Sequence, residues 1–255
     1  MILTDTHTHL YSKEFDKDRK EAIQKAIGLK VSRFFIPAID SSHTQSMYEL
    51  EKEFPDNIFL MMGLHPTSVK ENFEEELAHV EEQFAQRKFY GVGETGIDLF
   101  WDKSFLKQQQ HAFKWQIQLA KKYKLPVVIH CRDAFEEIFE VLDTEKGSDL
   151  FGIFHCFTGN REQAERALSY NMKLGIGGVV TFKNGGIDKF LGEIPLEHIV
   201  LETDSPYLAP VPYRGKRNES SYIEIIAKKM AEIYEVDINE VAAVTTQNSR
   251  DIFKV

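Results

Sequence analysis

The segment "LTDTHTHL", residues 3–10, holds two histidines separated by one residue, with an aspartate at the same spacing before them. Alternate side chains of a β-strand point to the same face. We therefore expect Asp5, His7 and His9 on one side of the first strand. Two imidazoles and a carboxylate are costly to bury in an apolar core but are good metal ligands. The segment thus predicts a strand that delivers ligands to a metal.

The composition around this segment is that of an ordinary globular α/β protein. The chain has 255 residues, of which 42% are hydrophobic and 28% are charged. This length is enough for one large core, and we found neither a linker-like segment nor an internal repeat. We therefore predict a single domain over residues 1–255.

The net charge, the targeting signals and the cysteines indicate which partners and which cell compartment are compatible with this sequence. A formal net charge of −9 argues against non-specific coating of duplex DNA, which depends on many basic contacts to phosphate. No signal-peptide pattern and no apolar run of roughly 18 residues is present. Cys131 and Cys156 give no disulfide framework. We expect a cytoplasmic protein with no membrane association.

Eight short apolar segments alternate with amphipathic, helix-like segments along the whole chain. Eight such alternations in about 250 residues predict a (β/α)₈ barrel. A doubly wound open sheet is the alternative, but no GxGxxG motif follows the first strand. The predicted strands are Ile2–His7, Arg33–Ile39, Ile58–Leu64, Phe89–Glu94, Pro126–His130, Phe151–His155, Met172–Gly177 and Ile199–Thr203.

The ends of the predicted strands carry an unusual set of polar residues. Active sites of such barrels lie at the carboxyl ends of the strands, so these side chains are expected to converge there. Several histidines and carboxylates that meet in a buried site require a cation to offset their desolvation. The residues are His7, His9, His65, Glu94, His130, His155, Glu202 and Asp204.

Imidazole and carboxylate together are typical ligands of transition ions, whereas Ca²⁺ prefers sites made of oxygen ligands alone. The number of ligands suits two divalent ions about 3.5–4 Å apart, of which Zn²⁺, Mg²⁺ and Mn²⁺ are the candidates. We expect Glu94 to bridge the two ions. One ion would take His7, His9 and Asp204, and the other would take His130 and His155.

This arrangement predicts a hydrolytic mechanism. A water held between two cations can ionise near neutral pH and attack phosphorus or carbon, with Asp204 as general base. Asp5 and Glu202 are expected to orient ligand histidines as hydrogen-bond acceptors. Cys131 and Cys156 each follow a candidate histidine directly, so strand alternation should turn them towards the helices.

Six motifs in register resemble those of the TatD-type metal-dependent deoxyribonucleases, which belong to the amidohydrolase-like barrel superfamily. They are "DTHTHL", "GLHP", "GVGETGID", "HCRDA", "HCFTG" and "LETDSPYLAPVPYRGKRNE". The resemblance implies a divalent-metal centre and phosphodiester hydrolysis, commonly as a 3′–5′ exonuclease on DNA. By matching position, it implies the metal ligands His7, His9, Glu94, His130, His155 and Asp204.

The resemblance also implies substrate contacts. His65 would lie beside the metals and touch substrate, and Arg132, Lys183 and Arg214 would approach phosphate oxygens. DNA ends or single-stranded DNA would be the substrate. One departure is visible, because Ser220 stands where the family pattern usually has proline, which could alter the start of the following helix and the Arg214 loop.

Aromatic residues near the predicted rim could stack unpaired bases, although we expect most of them to pack in loops. These residues are Phe100, Trp101, Phe157, Phe182 and Tyr207. Two other functions remain open from the sequence. The same site could hydrolyse a carbonyl substrate such as an ester, amide, lactone or aminoacyl-tRNA. The chain could also be a metal-binding protein in quality control without turnover.

Overall fold

A computed structural model of the protein describes residues 1–255. Eight strands form the barrel: β1 (Leu3–Asp5), β2 (Val31–Ile36), β3 (Ile58–Leu60), β4 (Val92–Asp98), β5 (Val127–Arg132), β6 (Gly152–Phe154), β7 (Met172–Ile176) and β8 (Ile199–Leu201). Eight α-helices surround it: α1 (Arg19–Gly28), α2 (Thr44–Glu53), α3 (Phe73–Gln86), α4 (Leu106–Tyr123), α5 (Phe135–Glu145), α6 (Arg161–Leu168), α7 (Ile223–Tyr234) and α8 (Ile238–Phe253).

The strands are parallel and follow one another in chain order. Strands β1 to β3 and strands β4 to β8 form two continuous ladders. A parallel bridge between Met62 and Val92 joins the ladders on one side. On the other side the amide of Thr6 donates to the carbonyl of Leu201 at 3.0 Å. The sheet therefore closes, and the predicted (β/α)₈ barrel is confirmed.

Two strands extend further towards the carboxyl end than their apolar segments predict. Strand β4 continues to Asp98 because its pairing with β5 persists as far as the Asp98–Arg132 pair. Glu94 and His130 consequently lie within strands rather than at strand ends. His7 and His9 instead lie beyond the short β1. The ligands therefore reach the site from both regular and irregular backbone.

The connection between β7 and β8 contains no α-helix, although the segment "GGIDKFLGEI" at residues 185–194 predicts a weak one. Short 3₁₀ helices at Ile187–Lys189 and Leu191–Glu193 occupy it instead. Gly186 has φ +76°, a left-handed conformation that interrupts a right-handed helix before it can lengthen. Helix α7 packs against this connection, where the Tyr234 hydroxyl lies 2.8 Å from the Leu191 carbonyl and 2.7 Å from the Ile194 carbonyl.

The spacing of Asp237 and Glu240 in "DINE" predicts that the last helix begins there with a capping box, and the helix does begin there, but with a simpler cap. The Asp237 side chain accepts a hydrogen bond from the Asn239 amide at 2.7 Å. The reciprocal bond from Glu240 that defines a capping box is not formed.

None of the α-helices combines the length and apolar character that crossing a bilayer requires.

The lower half of the barrel interior is closed by apolar side chains. Residues from four strands and Met61, directly after β3, meet there and are fully buried; the strand residues are Phe35, Val128, Ile153 and Val200. From α8, Phe253 stacks on Phe35 with ring centroids 3.7 Å apart. This apolar floor leaves only the carboxyl end of the barrel open to solvent.

Candidate metal centre

The Glu94 carboxylate lies at the centre of a cluster of imidazoles. Its Oε2 atom is 3.0 Å from His7 Nε2 and 3.5 Å from His9 Nε2. Its Oε1 atom is 2.8 Å from both His130 Nδ1 and His155 Nε2. Each oxygen therefore faces its own pair of histidines. This is the geometry expected of a carboxylate that bridges two cations.

Two further side chains complete the cluster. Asp204 Oδ1 lies 3.5 Å from His9 Nε2 and 3.8 Å from His7 Nε2, on the Oε2 side of Glu94. His65 Nε2 lies 3.2 Å from Glu94 Oε1, on the opposite side. This distance is short enough for His65 to bind a metal ion together with Glu94, in addition to any contact with substrate. The division of ligands between two ions stays a prediction, because His155 also lies within 4.8 Å of His7 and Asp204.

The cluster is buried, and its charges depend on one another. Burial alone would raise the pKa of Glu94, but His155, His65 and His7 hold it well below its usual range. Burial would also raise the pKa of Asp204, which hydrogen bonding to His9 and the charge of His155 instead lower. Both carboxylates are therefore anionic at neutral pH, as metal ligands must be.

The pKa values of two histidines in the cluster are shifted in opposite directions. Burial and the neighbouring His155 lower the pKa of His7. Burial would lower the pKa of His155 too, but Glu94 and Glu202 raise it well above its usual value. A proton on His155 therefore balances the buried Glu94 when no cation is bound.

The donor set fits divalent metal ions. Three groups of three ligand atoms lie within 4.8 Å of one another: His7, His155 and Asp204; His7, His9 and Glu94; and His65, Glu94 and His130. Neutral imidazole nitrogens and anionic oxygens are the preferred ligands of Zn²⁺ and Mn²⁺. A bound cation would replace the proton on His155 as the partner of Glu94. Binding is thus expected to release protons.

His9 and His155 each have the outer ring nitrogen, Nδ1, held by a hydrogen bond. His9 Nδ1 lies 3.0 Å from the Tyr11 hydroxyl, which itself donates to the Pro37 carbonyl and therefore accepts from the imidazole. His155 Nδ1 lies 3.3 Å from Glu202 Oε1. These bonds leave the inner Nε2 atoms directed at the carboxylates. Glu202 thus has the orienting contact predicted for it.

The prediction that Asp5 orients a histidine is wrong. Its carboxylate accepts hydrogen bonds from the Thr203 amide at 2.9 Å and from the Thr203 hydroxyl at 2.6 Å. The reason is that β1 ends at Asp5, so the regular alternation that would group it with His7 stops there. Burial raises the pKa of Asp5 to about 7. Asp5 instead fixes the backbone that carries Asp204.

The third orienting residue, Asp98, was missed from the sequence. Its Oδ2 atom lies 2.9 Å from His130 Nε2, which leaves Nδ1 of the same ring facing Glu94. Gln109 on α4 forms two hydrogen bonds with the Asp98 backbone, at 2.9 and 3.2 Å. Strand alternation could have revealed this role, since Asp98 lies four residues after Glu94 and so shares its face.

A cavity of about 860 Å³ opens above the cluster. Arg132, Arg214 and Lys216 line it, and none of these cations has a carboxylate oxygen within 4 Å. Lys183 is exposed and does not line the cavity, so its predicted approach to phosphate stays a prediction. Its neighbour Phe182 contributes to the wall. Lys216 belongs to the basic segment "PYRGKR" at residues 212–217 and adds a second cation beside Arg214.

The two cysteines differ from their predicted orientation. Cys131 packs partly against the core, as predicted, but both Cys131 and Cys156 also line the cavity. Cys156 lies beyond the end of β6 with φ +43°, so strand alternation no longer decides its direction. Burial raises the pKa of both thiols, which keeps them in the neutral form.

Fold and site together define the class of metal-dependent hydrolases built on a (β/α)₈ barrel. The chain belongs to the family described as "TatD related DNase", whose model matches residues 4–254. The resemblance visible in the six motifs is therefore confirmed.

Three similar proteins illustrate the relationship. The uncharacterized metal-dependent hydrolase YabD of Bacillus subtilis is 40% identical, with the whole of both chains covered. The 3′-5′ ssDNA/RNA exonuclease TatD of a Rahnella species is 32% identical over 96% of this chain and 95% of that protein. The crystal structure of YJJV, a TatD homologue from Escherichia coli, has a TM-score of 0.93 at 26% identity, over 99% of this chain and 98% of that one.

Proposed function

We propose that this protein is a phosphodiesterase that uses two divalent metal ions to release nucleotides from DNA ends, with 3′–5′ polarity. The observation that carries the proposal is the position of Glu94, with each oxygen within 3.5 Å of a separate pair of imidazoles. Relatives of about the same length that are named 3′-5′ ssDNA/RNA exonucleases support the substrate and the polarity.

The ligand assignment follows from the grouping of side chains. His7, His9 and Asp204 would hold one ion, His130 and His155 the other, and Glu94 both. Divalent ions bound there would supply Lewis-acid activation of the attacking water and of the phosphoryl oxygen. His65, which is 3.2 Å from Glu94, stands near enough to serve as a ligand or to contact substrate.

Asp204 is the residue best suited to accept the proton of the attacking water. It lines the cavity, and the neighbouring histidines keep its pKa below the usual range. A carboxylate that is ionised at neutral pH can act as a general base within hydrogen-bond reach of water.

The unpaired cations of the cavity favour a phosphodiester over an uncharged ester or amide. Arginines elsewhere, such as Arg87 and Arg217, are engaged by carboxylates. Arg132 and Arg214 have no such partner and are free to bind phosphate oxygens. A guanidinium presents two parallel N–H groups that match this anion. A carbonyl substrate would leave both charges without a partner.

Incubation with 3′-labelled single-stranded DNA tests the proposal. Protein loaded with Mg²⁺, Mn²⁺ or Zn²⁺ should release labelled mononucleotide, whereas 5′-labelled DNA should shorten gradually without early release of its label. The control is the Asp204→Asn variant, which keeps the size of the side chain but removes the base. Hydrolysis of carboxyl esters without any DNA turnover would refute the phosphodiesterase assignment.

A further inference from the structure

Two large aromatic side chains stand exposed at the mouth of the metal cavity. Trp101 is 70% exposed and Phe100 is 51% exposed, and both follow the end of β4. Their rings lie 4.9 Å apart at an interplanar angle of 90°. Trp101 also lines the cavity. Apolar surface exposed beside a polar site indicates a binding surface more often than a packing defect.

The exposed aromatic residues are fixed to the metal centre by one carboxylate. Asp98 Oδ1 accepts hydrogen bonds from the amides of Phe100 at 3.0 Å and Trp101 at 3.2 Å. The other oxygen, Oδ2, holds His130 at 2.9 Å. The aromatic residues therefore keep a defined position relative to the reacting centre.

An arginine completes this surface. The Arg132 guanidinium carbon lies 3.7 Å from the Phe100 ring centroid and 5.5 Å from that of Trp101. Stacking holds the guanidinium plane against the rings while its N–H groups remain available to an anion. We call Phe100, Trp101 and Arg132 the aromatic platform. It combines a flat apolar surface with a phosphate-binding cation.

We propose that the aromatic platform stacks an unpaired base next to the phosphodiester that is cleaved. This inference rests on the proposed function, because it names the feature of DNA that the same site recognises. Bases stack on aromatic side chains in proteins that bind single strands. Inside a duplex both faces of a base are covered, and at a duplex end only the outer face of the last base is open, so an unpaired base offers the larger stacking surface.

The size and charge of the platform favour a nucleic acid over a protein partner. Two side chains expose too little apolar area for a stable protein interface, which needs about 800 Å² on each side. Arg132 has no carboxylate within 4 Å, although the chain carries a net charge of −9. A ligand with both an aromatic ring and an anionic group can stack on Phe100 and Trp101 and pair with Arg132. A nucleotide is such a ligand.

Fluorescence of Trp101 measures stacking directly. The chain has two tryptophans, so the Trp115→Phe variant leaves Trp101 as the sole emitter. The probe is a single-stranded oligonucleotide with phosphorothioate linkages at its 3′ end. We expect it to quench the fluorescence, with a half-saturating concentration about 10-fold lower than that of the same strand lacking its 3′-terminal bases. Equal quenching by both strands would overturn the proposal.

Kinetics provide an independent measurement. Trp101→Ala should raise KM for the intact strand about 10-fold and leave kcat within about 2-fold, since stacking acts on binding. Turnover of the strand with abasic 3′ ends should not change. Tyr123→Ala is the matched control, because Tyr123 is an exposed aromatic at the far end of α4. Equal losses on intact and abasic strands would contradict base stacking.

The two proposals fail in different ways. If the wild-type protein cleaves neither strand, the phosphodiesterase assignment fails, and the fluorescence titration still decides whether the platform binds bases. If both strands are cleaved equally well and quenching does not depend on the bases, the phosphodiesterase assignment stands and the platform inference fails. A response of Trp101 to proteins but not to oligonucleotides would also refute base stacking.

Discussion

The two ends of the barrel interior use the same cylinder of strands in opposite ways. At the floor, the Phe253 ring stacks on Phe35 at 3.7 Å over buried Val128. At the mouth, Glu94 is also buried, with only 2% of its surface exposed, but imidazoles surround its carboxylate in place of apolar side chains. The floor stabilises the fold by burial of apolar surface. The mouth buries charged groups, which costs free energy.

The difference shows how the barrel separates stability from function. Metal ligands with a desolvation cost can persist at the mouth because the floor and the outer helices stabilise the protein independently. Substitutions at the floor should therefore alter the free energy of unfolding. Substitutions at the mouth should alter metal binding and turnover. Each prediction below tests one side of this separation.

The largest effect is expected at Glu94. Glu94→Gln keeps the volume of the side chain but removes the negative charge that two cations would share. Nucleotide release should fall by about 10³-fold or more, since metal ions contribute several kcal/mol to transition-state stabilisation. The measurement is the rate of release from 3′-labelled DNA, with bound metal determined by elemental analysis. A loss of less than about 10-fold, with metal retained, would show that Glu94 does not bridge.

A comparable change in free energy is expected at the floor, without the loss of activity. Phe253→Ala should lower the free energy of unfolding by about 3–5 kcal/mol, because it removes a buried ring. Urea denaturation measures this change. At temperatures where the variant is folded, kcat/KM should remain within about 2-fold of wild type. A large loss of kcat/KM in folded protein would break the separation between floor and mouth.

Addition of metal should stabilise the folded protein through the site at the mouth of the barrel. An ion at 100 times its Kd adds about 2.7 kcal/mol to the free energy of unfolding. For a chain of this size that corresponds to an increase of roughly 5–10 °C in Tm. Calorimetry with and without Mn²⁺ measures the shift, and Glu94→Gln should abolish it. The same increase in the variant would place the bound ion elsewhere in the molecule.

A smaller effect is expected at Asp98, which holds His130 at 2.9 Å. Asp98→Asn should weaken metal affinity about 10–100-fold, as loss of a carboxylate that orients a ligand histidine generally does. Titration calorimetry with Mn²⁺ measures the affinity. Asp102→Asn is the matched control, because Asp102 lies in the same loop but binds Ser104 and Lys70. Similar losses in both variants would assign the effect to the loop rather than to His130.

The smallest effect is expected at Ser220, the position at which the resembling motif pattern implies proline. Ser220 begins a 3₁₀ helix, and Glu219 before it is extended with φ −140° and ψ 146°, as a residue before proline prefers. Ser220→Pro should change the free energy of unfolding by less than about 1 kcal/mol and leave activity unaltered. Thermal unfolding and DNA turnover measure both. A marked loss would show that the contact between the Ser220 and Thr8 hydroxyls, at 3.3 Å, matters to the site.

Regular strands made parts of this protein predictable. The apolar segments gave the order and number of strands because parallel strands that are covered on both faces are continuously apolar. Predictions failed where regular backbone ended. Asp5 and Cys156 were assigned by strand alternation, although β1 stops at Asp5 and β6 ends before Cys156. Asp98 was missed because the apolar segment ends before the strand does.

The sequence by itself determined the barrel and the residue types gathered at its mouth, because hydrophobic periodicity and the spacing of histidines are local properties of the chain. Only the tertiary structure decided which nitrogen of His130 and of His155 faces Glu94, since Asp98 and Glu202 reach these rings from remote parts of the chain. It also decided which cations remain unpaired and which aromatic rings stay exposed. Those properties depend on distances between atoms that are remote in the chain, and no local pattern encodes them.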